Sequence, residues 1–219
     1  MRELGTLGVW YPMDSLDAGG IRRLLRTVEE LRYSTLWYPE ALGYESLSLA
    51  SFMLANTSRL IIGSSIANIY ARDPFTARSG LRTLSGLYDD RFILGLGVSH
   101  APMVERVRGH VYEKPAPMMR RYLDSVYEKA SNVGEWPIVI AALGPLMLKL
   151  AAERTAGAVP YNVTPEHTRM ARAAFAICSD WSAATCARSL ASSAAFIWID
   201  AATSSTTADV CCFSWPRNG

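Results

Sequence analysis

Cysteine is missing from the first 177 residues. The four that occur, Cys178, Cys186, Cys211 and Cys212, all lie in the last fifth of the chain. That layout excludes a disulfide framework supporting the whole fold and marks the C-terminal part as different from the rest. No run of about eighteen apolar residues is present, so no membrane span is expected. Residues 1–20 lack a basic start followed by an apolar core, so no signal peptide is expected either. Net charge is +2, and Arg106 and Arg108 sit close together without forming a block. With no dense Lys/Arg stripe, a nucleic-acid partner has little support.

Several kinds of chemistry are missing as well. No H-x-x-x-H or C-x-x-C spacing occurs, and His110 and His167 form no metal pattern with His100, so no metal site is expected. Gly97-Val-Ser99 is followed by His100 and Ala101 where a nucleophile elbow would need glycine. Gly95 and Gly97 lack the third glycine of a dinucleotide fingerprint and lie inside an apolar run. A soluble, cytoplasmic protein is expected, and its 219 residues, half of them apolar, are enough for one sizeable core.

The run Phe92 to His100 organises that core. Phe92, Ile93, Leu94, Leu96 and Val98 are nearly continuous, as in a parallel strand covered on both faces. Gly95 and Gly97 weaken such a strand, so each is expected to admit another backbone or a ligand. Further strands are expected at Leu4 to Trp10, Thr35 to Tyr38, Arg59 to Ala67, Pro137 to Ala142 and Gly157 to Tyr161. Helices fall between them. Ile21, Leu24, Leu25, Val28 and Leu31 share one face of the first. Glu45 to Asn56 makes the second. Asp73-Pro74 and Thr164-Pro165 are cap-then-proline helix starts. Pro117 is expected to open the fourth helix, ending near Ala130, and Gly144-Pro145 the fifth. The connection Ala101 to Ala116 is long enough to act as a lid.

The strand–helix unit recurs about every 30 residues, six times before residue 177. The fold expected is α/β, a TIM-type (β/α)8 barrel that is incomplete, with about six βα units. Residues 1–177 form the partial barrel domain and residues 178–219 an atypical tail, rich in Ser and Thr, with one strand at Phe196-Ile-Trp-Ile199. The abrupt change in residue usage fits an ordinary variable terminus or, alternatively, a reading-frame change near residue 175. A barrel left open in this way is expected to be poorly soluble or unstable when expressed alone.

Barrel chemistry sits at the C-terminal ends of strands. Those ends select Tyr11, Glu40, Asn68, Ser99, His100, Tyr161 and Asn162. Glu40, beside aromatic residues, is a candidate acid or base, and His100 a candidate proton donor or anion binder. The small residues around Ala67 and Asn68 would let a flat ring lie against the backbone.

The stretches Leu36-Trp-Tyr-Pro-Glu40, Ile66-Ala-Asn-Ile-Tyr-Ala-Arg-Asp-Pro-Phe75, Arg91 to Pro102, Ala141-Ala-Leu-Gly-Pro145 and Pro160 to Thr168 resemble, in order, the luciferase-like (LLM class) flavin or deazaflavin oxidoreductases. They are most similar to an actinobacterial subgroup that uses coenzyme F420, and the likeness covers about residues 4–170. It implies a TIM-type barrel, usually homodimeric, acting on a small-molecule substrate. Coenzyme F420 (alternatively FMN) would lie across the mouth. A bulge after the third strand, often with a non-proline cis peptide, would back the ring, and Ile66-Ala67-Asn68 occupies that place. By the same resemblance Glu40 and His100 take the catalytic positions. Ala67, Asn68, Gly97, Ser99, Tyr161 and Asn162 take the cofactor-binding positions. The segments that bind the cofactor tail in the family do not show, so this form of the chain is expected to be inactive or to serve only as a dimerisation partner.

Overall fold

The computed structural model describes residues 4–5, 7–128, 136–182, 195–196 and 211–214. In chain order the elements are strand β1 (Leu7–Trp10), helix α1 (Ala18–Glu30), β2 (Thr35–Tyr38), α2 (Ser46–Ala55), β3 (Ile61–Ser64), β4 (Ala67–Asn68), α3 (Pro74–Leu87), β5 (Phe92–Gly97), α4 (Pro115–Val126), β6 (Ile138–Ala141), α5 (Pro145–Arg154), β7 (Gly157–Val159), α6 (Pro165–Ser182), β8 (Ala195–Phe196) and β9 (Cys211–Ser214). Strands β1, β2, β3, β5, β6 and β7 lie side by side, all parallel and in chain order. The order never reverses, so there is no switch point of the kind that defines a doubly wound sheet. The architecture is an incomplete α/β barrel of six βα units. Short β4 pairs with β5, β8 adds in parallel to β7, and β9 lies antiparallel on β1.

The apolar runs are continuous because each strand buries both faces. On β5, Phe92, Leu94 and Leu96 face the helices, while Ile93 points into the barrel. Leu36 and Tyr38 flank Trp37 in the same way on β2, and Ile138 and Ile140 flank Val139 on β6. Trp37, Ile61, Ile93, Val139, Ala156 and Val159 thus form an interior cluster separate from the larger core under the helices. Gly63 leaves room for the Trp37 ring, with which any Cβ there would collide.

Helix starts follow side-chain caps. Asp17 accepts from the Gly20 N–H at 2.6 Å, Glu45 from Leu47 and Ser48 at 3.0 and 2.8 Å, and Asp73 from Thr76 at 3.0 Å. Two expectations need correction. Helix α4 begins at Pro115 and not at Pro117. Pro115 takes the first position, and Pro117 still falls in the first turn, where a missing N–H costs no helical bond. The third strand does not run unbroken from Arg59 to Ala67. It divides into β3 and β4 at Ser65–Ile66, whose peptide bond is cis. Ala130 and Ile197–Ile199 lie outside the described residues, as does most of the tail to which the reading-frame and solubility expectations refer.

At the N-terminal face of the barrel two charged side chains close the loops. Arg91 is 5% exposed and donates to the carbonyls of Leu54 and Leu60 and to Thr57 Oγ1 at 3.0–3.1 Å. Leu54 lies in the last turn of α2, where a cation also meets the negative end of the helix dipole, and Thr57 and Leu60 lie in the connection to β3. Glu29, on α1, accepts from the N–H groups of Ser58, Arg59 and Leu60 at 2.9–3.0 Å. Burial pushes its carboxyl up, but the backbone donors and Arg59 outweigh that and hold it below the ordinary 4.5. A carboxylate with a lowered folded pKa stabilises the protein above its unfolded value, and that contribution disappears as pH falls through the folded one. Glu29→Gln should therefore cost about 1 kcal/mol near neutrality. Urea-denaturation midpoints of the two forms should converge once the pH is well below 4.5. A gap that stays constant into acid would contradict the latch.

Candidate functional site

The C-terminal end of β2 runs into Pro39 and Glu40, whose side chain meets β4 and the segment that precedes α3. Its Oε2 accepts from the Asn68 backbone N–H at 2.7 Å and from Arg72 Nη1 at 2.9 Å. Its Oε1 accepts from Arg72 Nη2 at 2.6 Å. The two side chains are 5% and 4% exposed, so this is a buried, bidentate pair. Arg72 Nη1 also donates to the Asn68 carbonyl at 3.0 Å. Both backbone groups of Asn68 are therefore held, one by each partner. The Glu40 N–H donates to the Ile66 carbonyl at 3.2 Å, and the Ser65 N–H to the Tyr38 carbonyl at 2.7 Å. These bonds bind the β3–β4 break to the end of β2.

Arg72 also reaches Glu45 at 3.0 Å. Burial opposes the charge on Arg72, but its bonds to Glu40 and Glu45 more than compensate and raise its pKa further. Burial likewise pushes Glu45 up, and the Ser48 and Leu47 N–H groups with Arg72 bring it below the ordinary carboxylate range. Tyr38, beside Glu40 in sequence, sends its hydroxyl to the Ser46 carbonyl at 2.8 Å.

β5 supplies the floor. Asn68 is in register with Gly97, and Ala67 with Leu96. A Cβ at Gly95 would collide with the Ser64 carbonyl oxygen, and Ser64 Oγ bridges the Gly95 N–H and carbonyl at 2.9 Å. A Cβ at Gly97 would collide with the Ile66 side chain. The close approach expected at both glycines is made by the chain itself. Beyond β5, Ser99 adopts the left-handed region (φ 57°). His100 is exposed, and its carbonyl starts a helical turn by accepting from Met103 and Val104.

The long connection folds back over these ends. Tyr112 donates to the Ser99 carbonyl at 3.2 Å, and the Glu113 N–H donates to the Tyr70 hydroxyl at 3.1 Å. Arg108 Nη2 comes within 3.8 Å of Glu40 Oε1. On the far side of the mouth Tyr161 lies 5.9 Å, ring to ring, from Trp10 at the end of β1, and Asn162 is left-handed (φ 51°).

Of the residues selected from sequence, the structure joins Glu40, Asn68, Ala67 and Gly97 in one hydrogen-bonded rim, with Ser99 two residues beyond. Tyr161 and Asn162 sit at the β7 end against Trp10, and His100 stands exposed at the start of the lid. Sequence reasoning missed Arg72, Arg108 and Ser65. Arg72 lies within the Ile66–Phe75 stretch, and its charge opposite Glu40 was the available signal. Nothing in the sequence places Arg108 at this rim.

The Luciferase-like monooxygenase family model matches residues 5–128, and the chain belongs to that family. A provisionally named coenzyme F420-dependent oxidoreductase of Mycobacterium tuberculosis is 30% identical over 156 residues, 71% of this chain and 42% of that protein. The chain thus spans less than half the length of this relative. Among solved structures, an F420-dependent secondary alcohol dehydrogenase in complex with an F420–acetone adduct superposes with a TM-score of 0.70 at 13% identity, over 83% of this chain and 65% of that one. A type II Baeyer–Villiger monooxygenase component from a Pseudomonas putida plasmid, in complex with FMN, has a TM-score of 0.63 at 10% identity, covering 83% and 63%. At these identities the two structures share the fold. Among the described residues there is no cluster of metal-ligating side chains, and no helix is long and apolar enough to cross a membrane.

Removing Arg72 alone leaves the Glu40 carboxylate buried without its partner. Arg72→Met should cost about 3–5 kcal/mol in chemical denaturation. The double variant Glu40→Gln/Arg72→Met should be more stable than the sum of the singles implies, with a coupling of about 1.5 kcal/mol or more. Additive single effects would show that the pair does not act as a unit.

Proposed function

We propose that the chain is an oxidoreductase that uses coenzyme F420 for hydride transfer to or from a small organic substrate, in the cytoplasm and as a homodimer. The observation that carries this reading is a pair of buried polar atoms without partners at the strand ends, Ser65 Oγ and Trp10 Nε1. Such atoms are costly to leave unpaired, and the polar rim of a deazaflavin or flavin ring offers hydrogen-bonding partners of the right chemistry. The F420-dependent names among the similar proteins favour the deazaflavin over FMN. The FMN-containing neighbour supports the second reading, an FMN-dependent monooxygenase.

Bound F420 would supply the hydride-transferring ring carbon. The remaining work is the protein's. Ala67 and Asn68 would back the ring over the Gly97 register position, and the Glu40–Arg72 pair would hold Asn68 so that its backbone cannot turn away. Ser99, Tyr161 and Asn162 would contact the cofactor from the neighbouring strand ends. His100 would deliver or accept the proton that accompanies hydride transfer, with Glu40 adjusting the rim's charge. The lid held by Tyr112 and Glu113 would exclude water.

Titration of the full chain with F420, read by quenching of tryptophan emission, should show saturable binding. Ser65→Ala should weaken it about fivefold, the value of one ordinary hydrogen bond. Saturable FMN binding with none for F420 would move the assignment to the monooxygenase reading. Failure to bind either would overturn both.

A further inference from the structure

Beside the rim lies a cleft of about 230 Å³ bounded by Glu40, Gly43, Glu45, Ala71, Arg72 and Arg108. It is smaller than the ~300 Å³ at which sites for drug-sized ligands begin, and it has room for a small organic acid. The charges lining it are unequally spent. Glu40 and Glu45 accept from Arg72 and from the N–H groups of Asn68, Leu47 and Ser48. Arg108 stands differently. Its ion pair is long: Nη2 stands 3.8 Å from Glu40 Oε1, beyond hydrogen-bond distance, and that oxygen already accepts from Arg72 at 2.6 Å. Its Nε is buried and has no acceptor. A guanidinium donates through a planar fork, and Arg108, which lines the cleft with one donor unpaired, matches a planar oxyanion.

We infer that Arg108 is a carboxylate receptor: the small molecule handled at this rim carries a carboxylate that enters the cleft and pairs with the Arg108 fork. Arg108 belongs to the lid, which is tied to the barrel by Tyr112 on Ser99, by the Glu113 N–H on Tyr70 and by the long Arg108–Glu40 pair, so a bound acid would add a further attachment. As a statement of substrate class this rests on the oxidoreductase reading above; as a statement about anion binding it stands on the cleft alone.

The test uses the full chain and ligand-observed NMR titration with propionate, its neutral isostere propionamide, and inorganic phosphate. Propionate should bind at least about tenfold more tightly than propionamide. Arg108→Gln should abolish that preference, Arg108→Lys should keep part of it, and Arg106→Gln, an exposed change on the same loop, should leave it intact. Circular dichroism of the Arg108 variants should match the parent, and the lysine variant keeps the test valid if the glutamine variant does not fold. Equal binding of acid and amide, or propionate binding that survives both Arg108 changes, would overturn the inference. Phosphate binding through Arg108 that is tighter than propionate binding would overturn the carboxylate assignment. Propionate binding that depends on Arg108, in a chain that binds neither F420 nor FMN, would uphold the receptor and defeat the redox reading. F420 binding without any propionate preference would do the reverse.

Discussion

The buried pair of Glu40 and Arg72 is the interaction on which the rim depends. Burying two charges is costly, and a hydrophobic replacement of the same shape is often no less stable, so thermodynamic benefit alone is a weak account of the pair. Its geometry gives a better one. One oxygen of the carboxylate takes the Asn68 N–H, and one nitrogen of the guanidinium takes the Asn68 carbonyl. A two-residue strand cannot hold its own orientation through ladder bonds alone. The pair fixes it from outside, and the Tyr122 hydroxyl in turn holds the Arg72 carbonyl at 3.1 Å. The ends of β2, β4 and β5 and the start of α3 are thereby set against one another.

The second constraint is the lack of a side chain at Gly95 and Gly97 of β5. Gly95 is occupied from above by the Ser64 carbonyl and Gly97 by Ile66, so the neighbouring segment descends on β5 more closely than any other residue type would permit. The break between β3 and β4 and the two glycines are one feature seen from two strands. The same segment carries Ser65, whose hydroxyl is left without a partner at the place where the chain turns.

The barrel was legible from sequence because its signal is redundant. The strands are apolar on both faces, the helices open on a capping side chain or a proline, and the 30-residue period repeats. Where the reading failed, it failed locally. Arg59 to Ala67 looks like one apolar strand, and neither residue type nor period reveals a division at Ser65–Ile66. Pro115 and Pro117 are equally good helix starters, and only the packing of α4 selects between them. At the rim, Glu40 and Asn68 were selected because they end strands. Arg72 and Arg108 were not, because a long cation's role is set by what it reaches: Arg72 crosses to a residue 32 positions away, and Arg108 arrives from a loop. The family resemblance put a break after the third strand, at Ile66 to Asn68, and the structure has it at Ser65–Ile66, where residue chemistry alone offered only small side chains.

The attachment of the lid has a consequence for how its motion can be observed. The Glu113 amide donates to a phenol oxygen and belongs to no helix or strand ladder. Its exchange with deuterated solvent is governed by detachment of the loop from Tyr70, whereas the amides of β5 exchange only when the sheet itself opens. A single backbone position therefore acts as a clock for loop opening, and any molecule that seats the loop more firmly would slow that clock while leaving the rest of the exchange pattern in place.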